Sequence, residues 1–211
     1  MKPRVVLIGG GGHARVILDI LTGGGEYEIA GFTSVETDEK TSTLFACPRL
    51  GTDAILPELY ASGIRHAFVA IGDNHRRKQA GAQLVAFELV NAISPHAIIS
   101  RHVTLGKGIA VMAGAVINAG TEVGDGAIIN TNSSVDHDCV VGAFAHVAPG
   151  AALAGGVKIG EEVLIGIGAR VIPGLTIGAR SVVGAGAAVI GDLPARVLAA
   201  GVPAQVKKKV I

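Results

Sequence analysis

From Val103 to Asp192 a branched aliphatic residue returns at every sixth position. Divided into hexads running from Val103–Gly108 to Ala187–Asp192, the third position reads Leu105, Val111, Ile117, Val123, Ile129, Val135, Val141, Val147, Leu153, Ile159, Ile165, Val171, Ile177, Val183 and Val189. An unbroken run of that length would arise by chance on the order of once in ten million trials, so the period is structural. The first hexad position is small or aliphatic, as in Ala115, Thr121, Ala127, Ser133, Cys139 and Ala145. Gly106, Gly124, Gly142, Gly160 and Gly178 recur at every third hexad. Six residues suit a short strand and a corner, and three such sides close a triangular coil whose strands stack about 4.8 Å apart. Glycine at a corner would supply a positive φ. The pattern predicts a parallel β-helix.

Ahead of the repeat the periodicity changes. Arg4–Gly9 (RVVLIG) reads as a buried strand. It runs through Gly9-Gly10-Gly11-Gly12 into His13–Thr22, an amphipathic helix with Val16, Ile17, Ile20 and Leu21 on one face. Tyr27–Phe32, Ala67–Ile71 and Leu89–Ile93 read as further strands, and Asp53–Ser62 and Asn74–Phe87 as helices. This alternation predicts a small parallel α/β domain. Ser94-Pro95-His96 marks the joint, because proline disfavours helix before it. The expected division is residues 1–95, 96–192 and a tail, 193–211. The tail is expected to be irregular around Pro194 and Pro203 and to cap the open end of the solenoid. Its Lys207-Lys208-Lys209 run reads first as a solvated tail, with a phosphate contact as the alternative.

Composition narrows the function classes. A net charge of +1 over 211 residues gives no footprint for nucleic acid or an acidic membrane. Aromatic residues are only 3%, too few for base-stacking platforms. Met1-Lys2-Pro3 leads straight into a strand, and no uninterrupted apolar run approaches twenty residues, so neither a signal peptide nor a membrane span is expected. The two cysteines, Cys47 and Cys139, have no metal-ligand spacing, which points to a reducing, cytoplasmic setting with no metal. Cys139 occupies a small-residue hexad position and reads as core.

Two stretches carry candidate chemistry. The strand, glycine loop and helix at Arg4–Thr22 turn backbone N–H groups and a helix N-terminus toward an anion. Gly9, Gly11 and Ala14 fit a dinucleotide-type G-x-G-x-x-A pattern, but the acid such a site needs after the second strand is missing. Thr33 and Ser34 stand there, with Glu36 close behind, so NAD is disfavoured. The second stretch is Asp136-His137-Asp138, which follows the polar run Asn130–Ser134 in hexads that otherwise avoid charge. Val135 and Val141 keep the inward pattern on either side, so this cluster belongs on the outside of an intact wall. One carboxylate can fix the imidazole tautomer and raise its basicity, leaving the other ring nitrogen to take a proton. A hydrogen-bonded surface histidine is the plain alternative. His146 holds an outward hexad position nine residues on.

With these residues in view, the whole chain resembles the NeuD/PglD type of nucleotide-sugar acyltransferase. The likeness rests on Ile8–Ala14 (IGGGGHA), Ala70–Asn74 (AIGDN), Asn130–Pro149 (NTNSSVDHDCVVGAFAHVAP), Val163–Pro173 (VLIGIGARVIP) and Gly201–Ala204 (GVPA). It implies a Rossmann-like α/β domain followed by a left-handed parallel β-helix of hexapeptide repeats. It also implies a homotrimer with acetyl-CoA, a co-substrate, between neighbouring β-helices. By position, His137 matches the general base, Asp138 the acid that orients it, and His146 a residue near the thioester carbonyl. Ile167 and Ala185 match positions lining the CoA channel. Gly11, Gly12 and His13 match the nucleotide-sugar loop, Gly72 and Asn74 an adjacent turn, and Thr33 and Ser34 a contact to the nucleotide base, where relatives often carry aspartate. The implied reaction is acetyl transfer to the amine of a nucleotide-linked 4-amino-4,6-dideoxyhexose for surface polysaccharide such as O-antigen. The alternatives are a sialic-acid-type sugar O-acetyltransferase and a non-catalytic nucleotide-binding scaffold.

Overall fold

A computed structural model describes residues 2–35 and 43–210. Internal contacts divide the chain into two compact units, Met1–Pro95 and His96–Ile211.

The first unit is built on a six-stranded sheet. Its strands are β1 (Arg4–Ile8), β2 (Glu28–Thr33), β3 (Thr43–Leu44), β4 (Cys47–Gly51), β5 (His66–Val69) and β6 (Glu88–Leu89), in the order β3-β4-β2-β1-β5-β6. All neighbours pair parallel except β3 with β4, an edge hairpin that the sequence pattern did not predict. Val5, Val6, Leu7 and Ile8 are all buried because β1 is central and covered on both faces. Helix α1 (Gly12–Gly24) buries Ala14, Ile17, Leu18, Ile20 and Leu21. Val16, expected on that face, is 41% exposed: the stripe is set by positions 14, 17, 18 and 21, and Val16 lies about 150° from its centre. A 3-10 turn at Asp53–Ile55 leads into α2 (Leu56–Ala61), so the expected helix is present as two pieces. Helix α3 (Asn74–Ala82) stops short of the predicted Phe87, where turn bonds such as Leu84 N to Gly81 O replace helix. The predicted fourth strand is β6 plus a separate pair, Ala92–Ile93.

The second unit is a left-handed parallel β-helix. Two-residue strands eighteen residues apart pair parallel and in register on three faces. Ile128–Ile129, His146–Val147 and Leu164–Ile165 belong to the first face. Val116–Ile117, Ser134–Val135, Ala152–Leu153 and Arg170–Val171 belong to the second, and Glu122–Val123, Val140–Val141 and Lys158–Ile159 to the third. Every third-position side chain from Val111 to Val189 is buried, and Leu105 packs half-buried at the opening coil.

The corner glycines have a different cause from the one expected. Positive φ falls on the sixth hexad position, at 54° to 76° from Gly108 to Gly186, including non-glycines such as Asn132 and Asp138. Gly124, Gly142, Gly160 and Gly178 do not share it. They are small because the next coil's backbone occupies their side-chain space: a Cβ on Gly142 would stand 2.4 Å from the Gly160 carbonyl carbon. The tail is also more regular than expected. Val197–Ala200 adds to the first face and Gln205–Lys209 returns antiparallel to it, because Val197 and Ala199 alternate into the core. Lys207, Lys208 and Lys209 are exposed on that last strand.

Candidate functional site

In the first unit, the carboxyl ends of the parallel strands face a cleft of about 660 Å³. Ligands settle at such ends because loops and helix N-termini converge there. The loop after β1 supplies Gly9–His13, the end of β2 supplies Thr33 and Ser34, and the loop after β5 supplies Ile71 and Gly72. Gly9, at φ 110°, crosses against Ala70, where a Cβ would meet the Ile71 side chain at 2.9 Å. The first turn of α1 has no side-chain cap, which leaves its N–H groups to a ligand.

His13 lies mostly buried at this loop. Burial, and then the nearby Arg77 guanidinium, lower its pKa to about 4, so it is neutral at pH 7. Its Nε2 is buried without a hydrogen-bond partner among the described residues. Arg77, itself buried, ties the β5 loop together by donating to the carbonyls of Ile71 (3.1 Å) and Gly72 (2.9 Å). It also donates to Asn74 Oδ1 at 2.8 Å. Thus Gly11, Gly12, His13, Thr33, Ser34 and Gly72 share one cleft, whereas Asn74 does not line it: its carboxamide serves Arg77.

The structure adds an acid that the sequence pattern missed. Asp53, twenty residues beyond Thr33, lines the cleft and accepts a 2.6 Å hydrogen bond from Thr33 Oγ1. Arg49 Nη2 donates to the Ser34 carbonyl at 2.8 Å. Glu36 lies outside the described residues.

In the second unit, His137 stands on the corner between the second and third faces. Its Nδ1 lies 2.8 Å from Asp138 Oδ2. A carboxylate only accepts, so Nδ1 carries the proton and neutral His137 presents a lone pair at Nε2. Asp138 adopts φ 57°, a conformation Asp tolerates better than most residues. Asp136 Oδ1 accepts from the His137 backbone N–H and from Asn118 Nδ2, each at 2.8 Å. The Asn118 bond, then that backbone bond, hold the Asp136 carboxyl below the usual range. The hydrogen bond to Asp138, then the charge of Asp136, raise the His137 pKa. Both members of the pair stay open to solvent, with side chains 62% and 73% exposed. Beside them a groove of about 520 Å³ runs up the second face past Asp136, Ala154, Arg170 and Pro173. Cys139, after Asp138, is fully buried, and its thiol donates to the backbone carbonyls of Ala154 (3.2 Å) and His137 (3.6 Å) inside the coil.

His146 occupies the first face, where its Nε2 meets Asn130 Nδ2 at 2.9 Å. A triangular coil sets that face opposite the His137 corner, so the two histidines do not converge within one chain. Ile167 and Ala185 stack one coil apart on the corner between the first and second faces, where Gly186 N donates to the Ile167 carbonyl. Ile167 is 62% exposed. Among the described residues no cluster of His, Cys, Asp and Glu could hold a metal ion, and no helix is long and apolar enough to cross a membrane.

Comparison with known proteins bears on both units. Residues 4–84 match the family described as the PglD N-terminal domain. PerB from Caulobacter crescentus, solved with CoA and GDP-perosamine, is 49% identical, with 99% of each chain covered and a TM-score of 0.93. A histidine-substituted form of that bacterium's perosamine N-acetyltransferase matches at 48% identity over 99% of both chains, with a TM-score of 0.95. The acetyltransferase domain of PglB from Neisseria gonorrhoeae, solved with acetyl coenzyme A, is 37% identical over 98% of this chain and 100% of that one, TM-score 0.92. The chain spans 24% of the length of a curated relative, an uncharacterized protein of Acanthamoeba polyphaga mimivirus, 34% identical over 123 residues.

Proposed function

The chain belongs to the PglD-type nucleotide-sugar acetyltransferases, and from that premise we propose that it N-acetylates a GDP-linked amino sugar of the perosamine kind. The choice of nucleotide and of nitrogen over oxygen as acceptor is supported by the near full-length likeness to an N-acetyltransferase bound to GDP-perosamine. The observation that carries the chemistry is the His137–Asp138 pair on an open corner.

The cleft of the first unit holds the nucleotide. Acetyl-CoA, the second substrate, lies along the second-face groove with its thioester at the His137 corner. The sugar ammonium first loses one proton to solvent. The free amine attacks the thioester carbonyl and forms the C–N bond. His137 Nε2 takes the second nitrogen proton as the tetrahedral species forms, and Asp138 stabilises the resulting imidazolium. Collapse breaks the C–S bond, giving amide and CoA thiolate, which is then protonated. His146 lies across the coil from the His137 corner of its own chain, and a neighbouring copy would bring such a residue beside it, which supports a homotrimer with sites between β-helices. The free state of both cysteines suits a cytoplasmic enzyme feeding surface-polysaccharide synthesis.

The test is CoA-thiol release with UDP-, GDP- and dTDP-linked 4-amino sugars. Turnover is expected with the GDP sugar. Turnover with another nucleotide alone would overturn the assignment of the base, and silence throughout, with nucleotide still bound, would leave only a scaffold.

A further inference from the structure

We propose that Gly155 is a positioning residue for His137: it is glycine so that the imidazole can lie where its side chain would be. The inference rests on His137 being the base. Gly155 follows His137 by eighteen residues, hence by one coil, at the same fifth position of its hexad, and the Gly156 N–H donates to the His137 carbonyl at 2.8 Å. A Cβ on Gly155 would stand 2.5 Å from His137 Nε2, 2.6 Å from Cε1 and 3.2 Å from Cδ2. Those three nearest atoms all belong to the imidazole. None of the three is backbone, unlike the nearest atoms at Gly142 or Gly178.

Backbone conformation is not the reason for this glycine. Its neighbour Gly156 takes the left-handed turn at φ 70°, while Gly155 has no positive φ. Gly191, at the same hexad position two coils further on, has nothing within 4 Å of an added Cβ and no positive φ either. The corner column therefore accepts a methyl group at 191 and refuses one at 155 only on account of the ring. His137 is thus constrained at two places: Nδ1 by Asp138, and the Nε2–Cε1 edge by the floor of Gly155. The side chain is exposed on its other sides, so little else fixes its direction. A methyl at 155 displaces the far end of a side chain, which moves without unfolding the coil. The cost falls on orientation and on the bond to Asp138.

Gly155→Ala is expected to fold with unchanged thermal stability and to lower kcat about 10- to 100-fold, the scale of a misplacement near 1 Å. The KM values for both substrates should stay within about twofold, since the change acts on orientation. Gly191→Ala should match the wild type. NMR titration of the His137 ring should show a lower pKa in Gly155→Ala, because Asp138 holds it less well. In a His137→Ala background the added substitution should cost nothing further, as expected for two changes acting through one group. An undiminished Gly155→Ala loss in that background, an unmoved His137 titration, or wild-type kcat in the single variant would each overturn the seat. Near-normal turnover of His137→Ala alone would instead sink the reading of His137 as base.

Discussion

In the His96–Ile211 unit the acid-flanked histidine sits in one coil and is supported from the coils eighteen residues away on either side, whereas in the Met1–Pro95 unit the cleft is gathered from ends of elements with no common interval. Asn118 lies one coil below Asp136 and Gly155 one coil above His137. The cleft instead collects Gly11, Thr33, Asp53 and Gly72 from four separate segments. The two histidines differ accordingly. His137 is exposed, flanked by acids, and its pKa is raised; His13 is buried beside a guanidinium, and its pKa is lowered. Stacked corners hold one imidazole in the open with its Nδ1 bonded to a carboxylate, while converging strand ends enclose the other as a neutral ring.

The strongest way to break this contrast is to remove the exposed imidazole. His137→Ala should lower kcat about 10²- to 10⁴-fold, the range for loss of general-base help, with both KM values nearly unchanged. A comparable loss on removing His13 with His137→Ala intact in activity would reverse the assignment of chemistry to the two units.

The buried histidine makes a different prediction, on stability. In the folded chain His13 titrates near pH 4, below its unfolded value of about 6.5. Between those limits the unfolded chain binds a proton that the folded chain does not. Stability is therefore unaffected above about pH 6.5, falls as the pH drops toward 4, and loses nothing further below that. The loss is on the order of 3 kcal/mol across the window. Urea unfolding of wild type and His13→Gln at pH 7.5 and 4.5 checks this, and equal acid sensitivity in both would refute it. His137 carries the opposite sign: its raised folded pKa favours the native state below the unfolded value, and that help fades as the pH rises through the folded one.

Asp138→Asn should cost less than loss of His137, about 10- to 100-fold in kcat, the scale of a hydrogen bond to a charged partner. The base works only when unprotonated, so the wild-type rate should rise with pH through a value above the ordinary 6.5 of histidine. Removing the Asp138 carboxylate, the largest cause of that elevation, should shift the acidic limb to lower pH. A limb that stays in place would give Asp138 a purely structural duty.

The same contrast decides how much the sequence discloses. The period of six exposed the wall, the buried Cys139 and the acid-flanked His137, because a charged run stands out where hexads avoid charge. Asn118 could have been found by counting eighteen residues back from Asp136. The role of Gly155 could not, since it depends on which way a ring leans, and neither could the corner glycines' true cause, which is the backbone of the next coil. In the first unit the strands and the glycine loop came from apolar runs, but the hairpin β3-β4 did not. Cys47–Gly51 contains Pro48 and Gly51, both poor strand formers, so its apolar pattern is broken although it lies between β3 and β2 in the sheet. Missing β4 meant missing that it returns the chain beside β2 and delivers Asp53 to Thr33.

Asp53 gives the smallest expected effect and the sharpest test of how the cleft reads its ligand. The expected acid after β2 is absent, yet its chemistry arrives from the turn before α2, with Thr33 Oγ1 occupying one carboxylate oxygen at 2.6 Å. The second oxygen can accept from an N–H or O–H of the nucleoside, and guanine offers adjacent N–H donors where uracil offers one. Asp53→Asn keeps an acceptor oxygen for Thr33 but loses the charge and replaces the second carboxylate oxygen with an NH2 group that can only donate. It should raise KM for the GDP sugar about tenfold, one charge-assisted hydrogen bond, with kcat and the KM for acetyl-CoA within about twofold. The preference for the GDP sugar over its UDP counterpart should narrow by a similar factor. A variant with unchanged KM but a lowered Tm would reduce Asp53 to a strut for Thr33 and return the reading of the base to the backbone of Ser34 and the glycine loop.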